Sequence, residues 1–286
     1  MDDLNYSYLL KETIRIAIQE DIGHGDITSL LIVPKGKKAK ANIIAKEDFI
    51  LAGMPFVKEV FNAIDPGIAM QIYFDEGARV KKGDIIAMIS GSARSLLAGE
   101  RISLNILQRI SGITAMTNQF VRKVRGLSVR IADTRKTIPG MRIMEKYAVR
   151  IGGGINHRFG LYDGILIKDN HIKIAGGVKK AVVLAKKRHH LLKIEIEVKS
   201  LDELKEALDA GADVIMLDNM SIPDMKKAVK IRDSRFEIRS YRILLEASGN
   251  VNLENIRSIA ETGVDIISIG ALTHSARAVD ISMKIV

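Results

Sequence analysis

The sequence predicts an α/β protein, with a mixed α/β first part followed by parallel βα units. Three observations carry that reading. Beyond residue 128, short apolar segments alternate with amphipathic ones, the rhythm of parallel strands joined by helices. Two junctions repeat: Gly211-Ala212-Asp213-Val214-Ile215 and Gly263-Val264-Asp265-Ile266-Ile267 each read as a helix-ending glycine followed by a strand. The composition, 47% hydrophobic and 27% charged over 286 residues, suits one or two folded domains and excludes a disordered chain.

Taken in order, Leu9, Ile14, Ile16 and Ile18 predict a helix over 8–19. Residues 39–45 and 68–74 read as strands. The Gly77, Val80, Gly83, Ile86 spacing resembles the hammerhead of biotinyl and lipoyl carriers, but no lysine occupies the tip, so it reads as a structural turn before a strand. Residues 96–124 predict a long helix, broken or bent near Ser111-Gly112. Six strands are then expected, at 129–132, 164–167, 194–198, 214–217, 243–245 and 266–269. Ser200-Leu201-Asp202-Glu203 is a capping box and Asn252 a helix N-cap. Such a repeat builds a (β/α) barrel or an open parallel sheet.

The net charge of +10 fits either a nucleic-acid or membrane surface or a pocket for small polyanions. With 5% aromatic residues and no Trp, stacking platforms for single strands are not expected. The lysine runs at 35–40 and 186–188 read as solvated faces. Cys is absent, which removes disulfides, thiolate metal sites and a cysteine nucleophile. The polar, acidic start is unlike a signal peptide, and no apolar run approaches the roughly 18 residues that span a bilayer. A cytoplasmic protein is expected.

Parallel barrels carry their chemistry at the carboxyl ends of the strands. Those ends hold Asp133-Thr134-Arg135-Lys136, Lys168-Asp169-Asn170-His171, Asp218-Asn219, Glu246-Ala247-Ser248-Gly249 and Gly270-Ala271, with Asn156-His157-Arg158 preceding the second strand. Alternation puts Glu195 and Glu197 on one face, pointing into a barrel, with Glu197 nearer the mouth. Arg135, Lys136, Arg158, Lys168 and His157 suit a substrate with several negative groups. Glu197 and Asp218 suit ribose hydroxyls or a Mg²⁺ completed by phosphates and water. Ser248-Gly249 and Gly270-Ala271 offer backbone N–H groups just before helices, a phosphate position. Together they suggest a phosphorylated, ribose-like substrate and a carboxylated partner.

At these residues the sequence resembles the quinolinate phosphoribosyltransferase family over nearly the whole chain. The resemblance runs through 20–28, Glu100-Arg101-Ile102-Ser103-Leu104-Asn105, Gln108-Arg109-Ile110-Ser111-Gly112-Ile113, 134–140, 145–149, 152–158, 166–171, 217–219, 246–250 and 270–275. It implies an N-terminal α/β sandwich domain (1–113, rejoined by 271–286) and an incomplete, seven-stranded α/β barrel (114–270). One strand more than the six expected would then lie near 152–158. The resemblance further implies transfer of phosphoribose from phosphoribosyl pyrophosphate to quinolinate, with decarboxylation, in a Mg²⁺-dependent step of NAD biosynthesis. Arg135, His157, Arg158 and Lys168, with Arg101 from the neighbouring subunit of a homodimer or larger assembly, would grip quinolinate. Lys136 and Lys168 would serve the pyrophosphate, Glu197 and Asp218 the ribose and metal, and Ser248, Gly249 and Gly270 the 5-phosphate. The intact Lys168–His171 motif sets the chain apart from a paralogous group linked to molybdate transport. The alternatives are a phosphoribosyltransferase for another pyridine carboxylate such as nicotinate, a barrel aldolase with Lys168 as Schiff base, and a nucleic-acid binder.

Overall fold

A computed structural model of the chain describes residues 4–236 and 242–286. The chain divides into two compact units. One comprises Met1–Asn118, Thr137–Gly152 and Leu272–Val286; the other comprises Gln119–Lys136 and Gly153–Ala271.

The first stretch contains α1 (Leu4–Asp21), α2 (Ile27–Ile32), β1 (Lys38–Ala45), β2 (Phe49–Ile50), α3 (Met54–Ile64), β3 (Ala69–Ile72), β4 (Arg79–Val80) and β5 (Ile85–Ser92). The long helix α4 (Ala93–Lys123) follows, and the division between the units falls within it. From the far end of the chain, β12 (Ile281–Ile285) returns to pair antiparallel with β1. The sheet order is β12-β1-β5-β3. Its apolar face packs on α3 and α4 through Ile43, Ile86, Ile89, Phe61, Leu96 and Leu104, all buried.

Glu76 ties this unit together. Its carboxylate accepts from the Gly53 and Met54 amides at the start of α3 (2.7 and 2.9 Å) and from the Tyr147 hydroxyl (2.7 Å). Tyr147 lies on α5 (Arg142–Ile151). Burial, then the Glu76 carboxylate, holds its phenol well above the usual value. On the same helix the buried Glu145 accepts from Arg109 of α4 at 2.8 Å.

The helix is not broken at Ser111-Gly112: α4 is helical throughout. Those two residues are small because of what they touch. A Cβ on Gly112 would lie 2.0 Å from the Arg277 carbonyl, and the Ser111 hydroxyl donates to the Ala52 carbonyl at 3.0 Å. Close approach of two backbones accounts for the glycine.

The second unit holds a six-stranded parallel sheet: β6 (Arg130–Ala132), β7 (Ile165–Ile167), β8 (Ile194–Val198), β9 (Val214–Asp218), β10 (Leu244–Ser248) and β11 (Ile266–Ser268). Its helices are α6 (Asp169–Ala175), α7 (Val178–Arg188), α8 (Leu201–Ala210), α9 (Ile222–Phe236) and α10 (Ile256–Ala260), and the single turn α11 (Ala271–His274) follows β11. Strands β7 to β11 pair in succession, and β11 pairs with β6.

The seventh position is filled by one bridge, Ala132 to Ile155, parallel to β6. The Ile155 amide donates to Ile131 at 2.7 Å, and the Asp133 amide to Ile155 at 3.2 Å. Beyond it the Asp133 carboxylate replaces backbone pairing, accepting from the Asn156 side chain and the His157 amide, both at 2.8 Å. One bridge is too short to give the apolar alternation that marks a strand in sequence.

The repeated Gly-x-Asp junction is a staple between strand beginnings. Gly211 ends α8 in the left-handed conformation. The Asp213 carboxylate then accepts from the Ile194 amide of β8 at 2.7 Å. Asp265 does the same for the Leu245 amide of β10 at 2.8 Å. No helix among the described residues is long and apolar enough to cross a membrane.

Candidate active site

The carboxyl ends of the strands in the second unit carry the expected residues. Lys168 follows β7, Glu197 lies near the end of β8, Asp218 ends β9 and Ser248 ends β10. Arg135 and Lys136 sit in the loop after β6, where the Lys136 amide donates to the Thr134 hydroxyl at 3.1 Å. Gly270 lies between β11 and α11. Ser248-Gly249 does not stand directly before a helix, as the sequence reading had it; residues 250–255 intervene before α10. Arg101 belongs to the first unit, exposed on α4.

Alternation on β8 is as the sequence required. Ile194, Ile196 and Val198 are buried, and Glu195 and Glu197 share the opposite face. Glu197 forms an ion pair with Lys168 on the neighbouring strand. The Lys168–His171 motif shapes the turn that presents this lysine. The His171 ring accepts from the Lys168 amide through Nδ1 at 2.9 Å. Asp169 pairs with Lys199 at 3.1 Å, a bond that holds its carboxyl below the ordinary range. Lys199 also feels the charges of Asp218 and Glu197, adding a cation at this end that the sequence reading passed over. Lys168 is half exposed and paired, unlike the desolvated lysine of a Schiff-base aldolase.

Arg158 shows what the site is built to hold. Burial, and next the adjacent Arg135 guanidinium, lowers its proton affinity. Glu195, Asp163 and Glu197 oppose that shift. One nitrogen donates to the Gly164 carbonyl at 2.9 Å, but its Nε is buried and meets no acceptor among the described residues. Two guanidiniums this close, one with an unsatisfied donor, favour an incoming anion with more than one carboxylate.

Glu197 and Asp218 fit a Mg²⁺ in kind. They are hard oxygen donors on the paired strands β8 and β9, and two carboxylates leave room for the water and phosphate oxygens that magnesium retains.

The loops after β9 and β10 meet through an asparagine network. Asn219 and Asn250 both adopt positive φ, 53° and 50°. Asn250 donates to Asn219 at 3.0 Å, and Asn219 to Asp218 at 2.9 Å. A Cβ on Gly249 would fall 2.2 Å from the Asn219 carboxamide oxygen, so only glycine lets the loops after β9 and β10 close on each other.

Glu246 was expected at a strand end. Because β10 runs on to Ser248, it sits mid-strand in the interior, 1% exposed. His157 Nε2 lies 2.9 Å from Glu195 and 3.9 Å from Glu246, all three within 4.8 Å of one another. Burial, then the facing Glu195 carboxylate, pushes the Glu246 carboxyl up to about 8. Its sequence signal was present, the same strand parity as Ser248, but hidden by too early an end to β10.

Comparison with known proteins agrees along the length of the chain. The family model described as Quinolinate phosphoribosyl transferase, N-terminal domain, matches residues 26–111, and that of the C-terminal domain matches 113–284. The chain is 43% identical over 277 residues to the probable nicotinate-nucleotide pyrophosphorylase [carboxylating] of Bacillus subtilis, covering 96% of this chain and 93% of that one. It is 44% identical over 282 residues to the protein of the same description from Methanocaldococcus jannaschii, covering 98% of each. The solved nicotinate-nucleotide pyrophosphorylase of Francisella tularensis superposes with a TM-score of 0.90 at 41% identity, covering 98% of this chain and 96% of that chain. Fold and relatives agree, and the chain belongs to the quinolinate phosphoribosyl transferase family.

Proposed function

We propose that this protein transfers the phosphoribosyl group of phosphoribosyl pyrophosphate to quinolinate and decarboxylates the adduct, giving nicotinate mononucleotide, pyrophosphate and CO₂ for NAD synthesis. The observation that carries this reading is the Lys168–Glu197 ion pair at the strand ends of a sheet that also brings the Arg158 and Arg135 charges together. Relatives named for the same reaction support it.

The chemistry follows from charge. Arg135 and Arg158, with His157 and Lys168, hold the quinolinate dianion so that its ring nitrogen faces the anomeric carbon of the ribose. The nitrogen–carbon bond forms as the bond to pyrophosphate oxygen breaks. Positive charge grows on the ribose beside Glu197 and Asp218, and negative charge on the leaving group beside Lys136 and Lys168. Ser248, Gly249 and Gly270 hold the 5-phosphate. Mg²⁺, held by Glu197 and Asp218 together with substrate and water, would neutralise part of the pyrophosphate charge. The ring nitrogen is then cationic. The carbon–carbon bond to the adjacent carboxylate breaks, and its electron pair stays on the ring carbon, stabilised by that nitrogen until a proton is taken up.

The working form is a cytoplasmic homodimer in which Arg101 serves the neighbouring subunit's site. The donor is a polyanion that cannot cross a bilayer unaided. On α2, Ile27, Leu31 and Ile32 are 73%, 80% and 75% exposed, an apolar surface suited to a second copy. Purified protein with phosphoribosyl pyrophosphate and Mg²⁺ is expected to form the mononucleotide from quinolinate and not from nicotinate. Equal or better use of nicotinate would overturn the assignment.

A further inference from the structure

Behind His157 the interior of the second unit holds two glutamates that the reaction above leaves unused. Glu195 and Glu246 come from β8 and β10, two strands separated by β9, and both side chains point inward. They are 9% and 1% exposed, and Oε1 of each meets no hydrogen-bond donor among the described residues. Such burial costs free energy unless something is gained from it. Nε2 of the His157 ring lies at hydrogen-bond distance from Glu195, 2.9 Å, and 3.9 Å from Glu246, which stands behind and faces Glu195. The backbone of the same residue is fixed separately, its amide donating to the buried Asp133 carboxylate at 2.8 Å.

His157 follows the single Ala132–Ile155 bridge, which extends the sheet beyond β6. A cavity of about 300 Å³ adjoins it, lined among others by His157, Arg158, Lys193, Glu195 and Glu246.

We infer that Glu195 and Glu246 form a brace that sets the orientation of the His157 ring, and through it the hold on quinolinate. They are positioning residues and touch no substrate. A histidine with two glutamates also has the donors for a divalent metal. The Arg158 guanidinium, which interacts with Glu195, favours the brace over a second cation.

The inference rests on the quinolinate reading, and the test separates the two. Glu195→Met and Glu246→Met keep side-chain volume and remove the acceptors; Glu195→Gln and Glu246→Gln keep a hydrogen-bonding group. In Glu195→Met the KM for quinolinate is expected to rise about tenfold or more, a loss on the scale of one buried hydrogen bond, and in Glu246→Met, which removes the backing group, by a smaller factor, with the KM for phosphoribosyl pyrophosphate little changed in both. The Gln variants should recover most of that loss. In wild type, the Nε2 proton of His157 should appear by NMR as a hydrogen-bonded, slowly exchanging imidazole proton, retained in Glu195→Gln and lost in Glu195→Met. Met variants with an unchanged quinolinate KM, or with both KM values moving together, would overturn the brace. So would a His157 signal indifferent to Glu195→Met, or a stoichiometric divalent metal at the cluster in wild type. If wild type makes no product from quinolinate, the functional reading fails, and the NMR comparison alone decides the brace.

Discussion

Lys168 is held in place from its own turn and from the end of β8. Its amide is fixed by His171, its ammonium by Glu197 on β8, and the turn that carries it by the Asp169–Lys199 pair. Removing the ammonium should therefore cost chemistry rather than folding. Lys168→Ala is expected to keep the wild-type melting temperature and to lose about two orders of magnitude or more in kcat, the scale of a transition-state charge contact. Near-normal turnover in the folded variant would remove Lys168 from the mechanism. Glu246 makes the opposite kind of prediction, on stability. Its carboxyl stands at about 8 in the folded protein against an ordinary 4.5. The raised value means that the folded state favours the protonated form. This contribution is complete below the ordinary value and is lost as pH climbs toward 8, at up to roughly 1.4 kcal/mol per pH unit. Glu246→Gln does not titrate, so chemical denaturation should show it gaining stability relative to wild type between pH 5 and pH 8. A constant difference across that window would show that Glu246 is ionised throughout.

The strands and their staples are where sequence and structure agree best, for a physical reason. Strands β8 and β10 bury apolar residues on one face and carry glutamates on the other. Apolar runs and alternating polar positions therefore both survive in the sequence, as in Ile194-Glu195-Ile196-Glu197-Val198. The repeated Gly-x-Asp was legible as a pattern, but its purpose was not, because a side chain accepting from an amide 19 or 20 residues earlier leaves no local trace. Asp213→Ala should lower stability by about 1–3 kcal/mol by orphaning the Ile194 amide, while leaving kcat of the folded protein unchanged. A loss of activity without a loss of stability would contradict the staple. Three features were hidden. The seventh strand is a single bridge completed by Asp133, the end of β10 lies three residues beyond its last expected position, and the Gly112 contact belongs to residues 165 positions apart. Each depends on long-range pairing that periodicity does not record.

At the scale of the molecule, the proposed site draws on two copies of the chain. Arg101 lies on α4 of the first unit, whereas Arg135, Lys136, Arg158 and Lys168 belong to the second unit or its loops. If Arg101 completes a neighbour's site, Arg101→Ala and Lys136→Ala should each be inactive. Their mixture should recover roughly a quarter of wild-type activity after subunit exchange, because half the dimers then carry one intact site by two-fold counting. No recovery after demonstrated exchange would confine Arg101 to its own chain. The central claim is the coupled reaction itself, and it is read most directly with quinolinate carrying labelled carbon in the carboxylate next to the ring nitrogen. With Mg²⁺ and phosphoribosyl pyrophosphate present, labelled CO₂ should appear in step with pyrophosphate, one for one, and stop when the phosphoribosyl donor is withheld. Pyrophosphate release with the label retained in the product, or CO₂ release without the donor, would contradict the account.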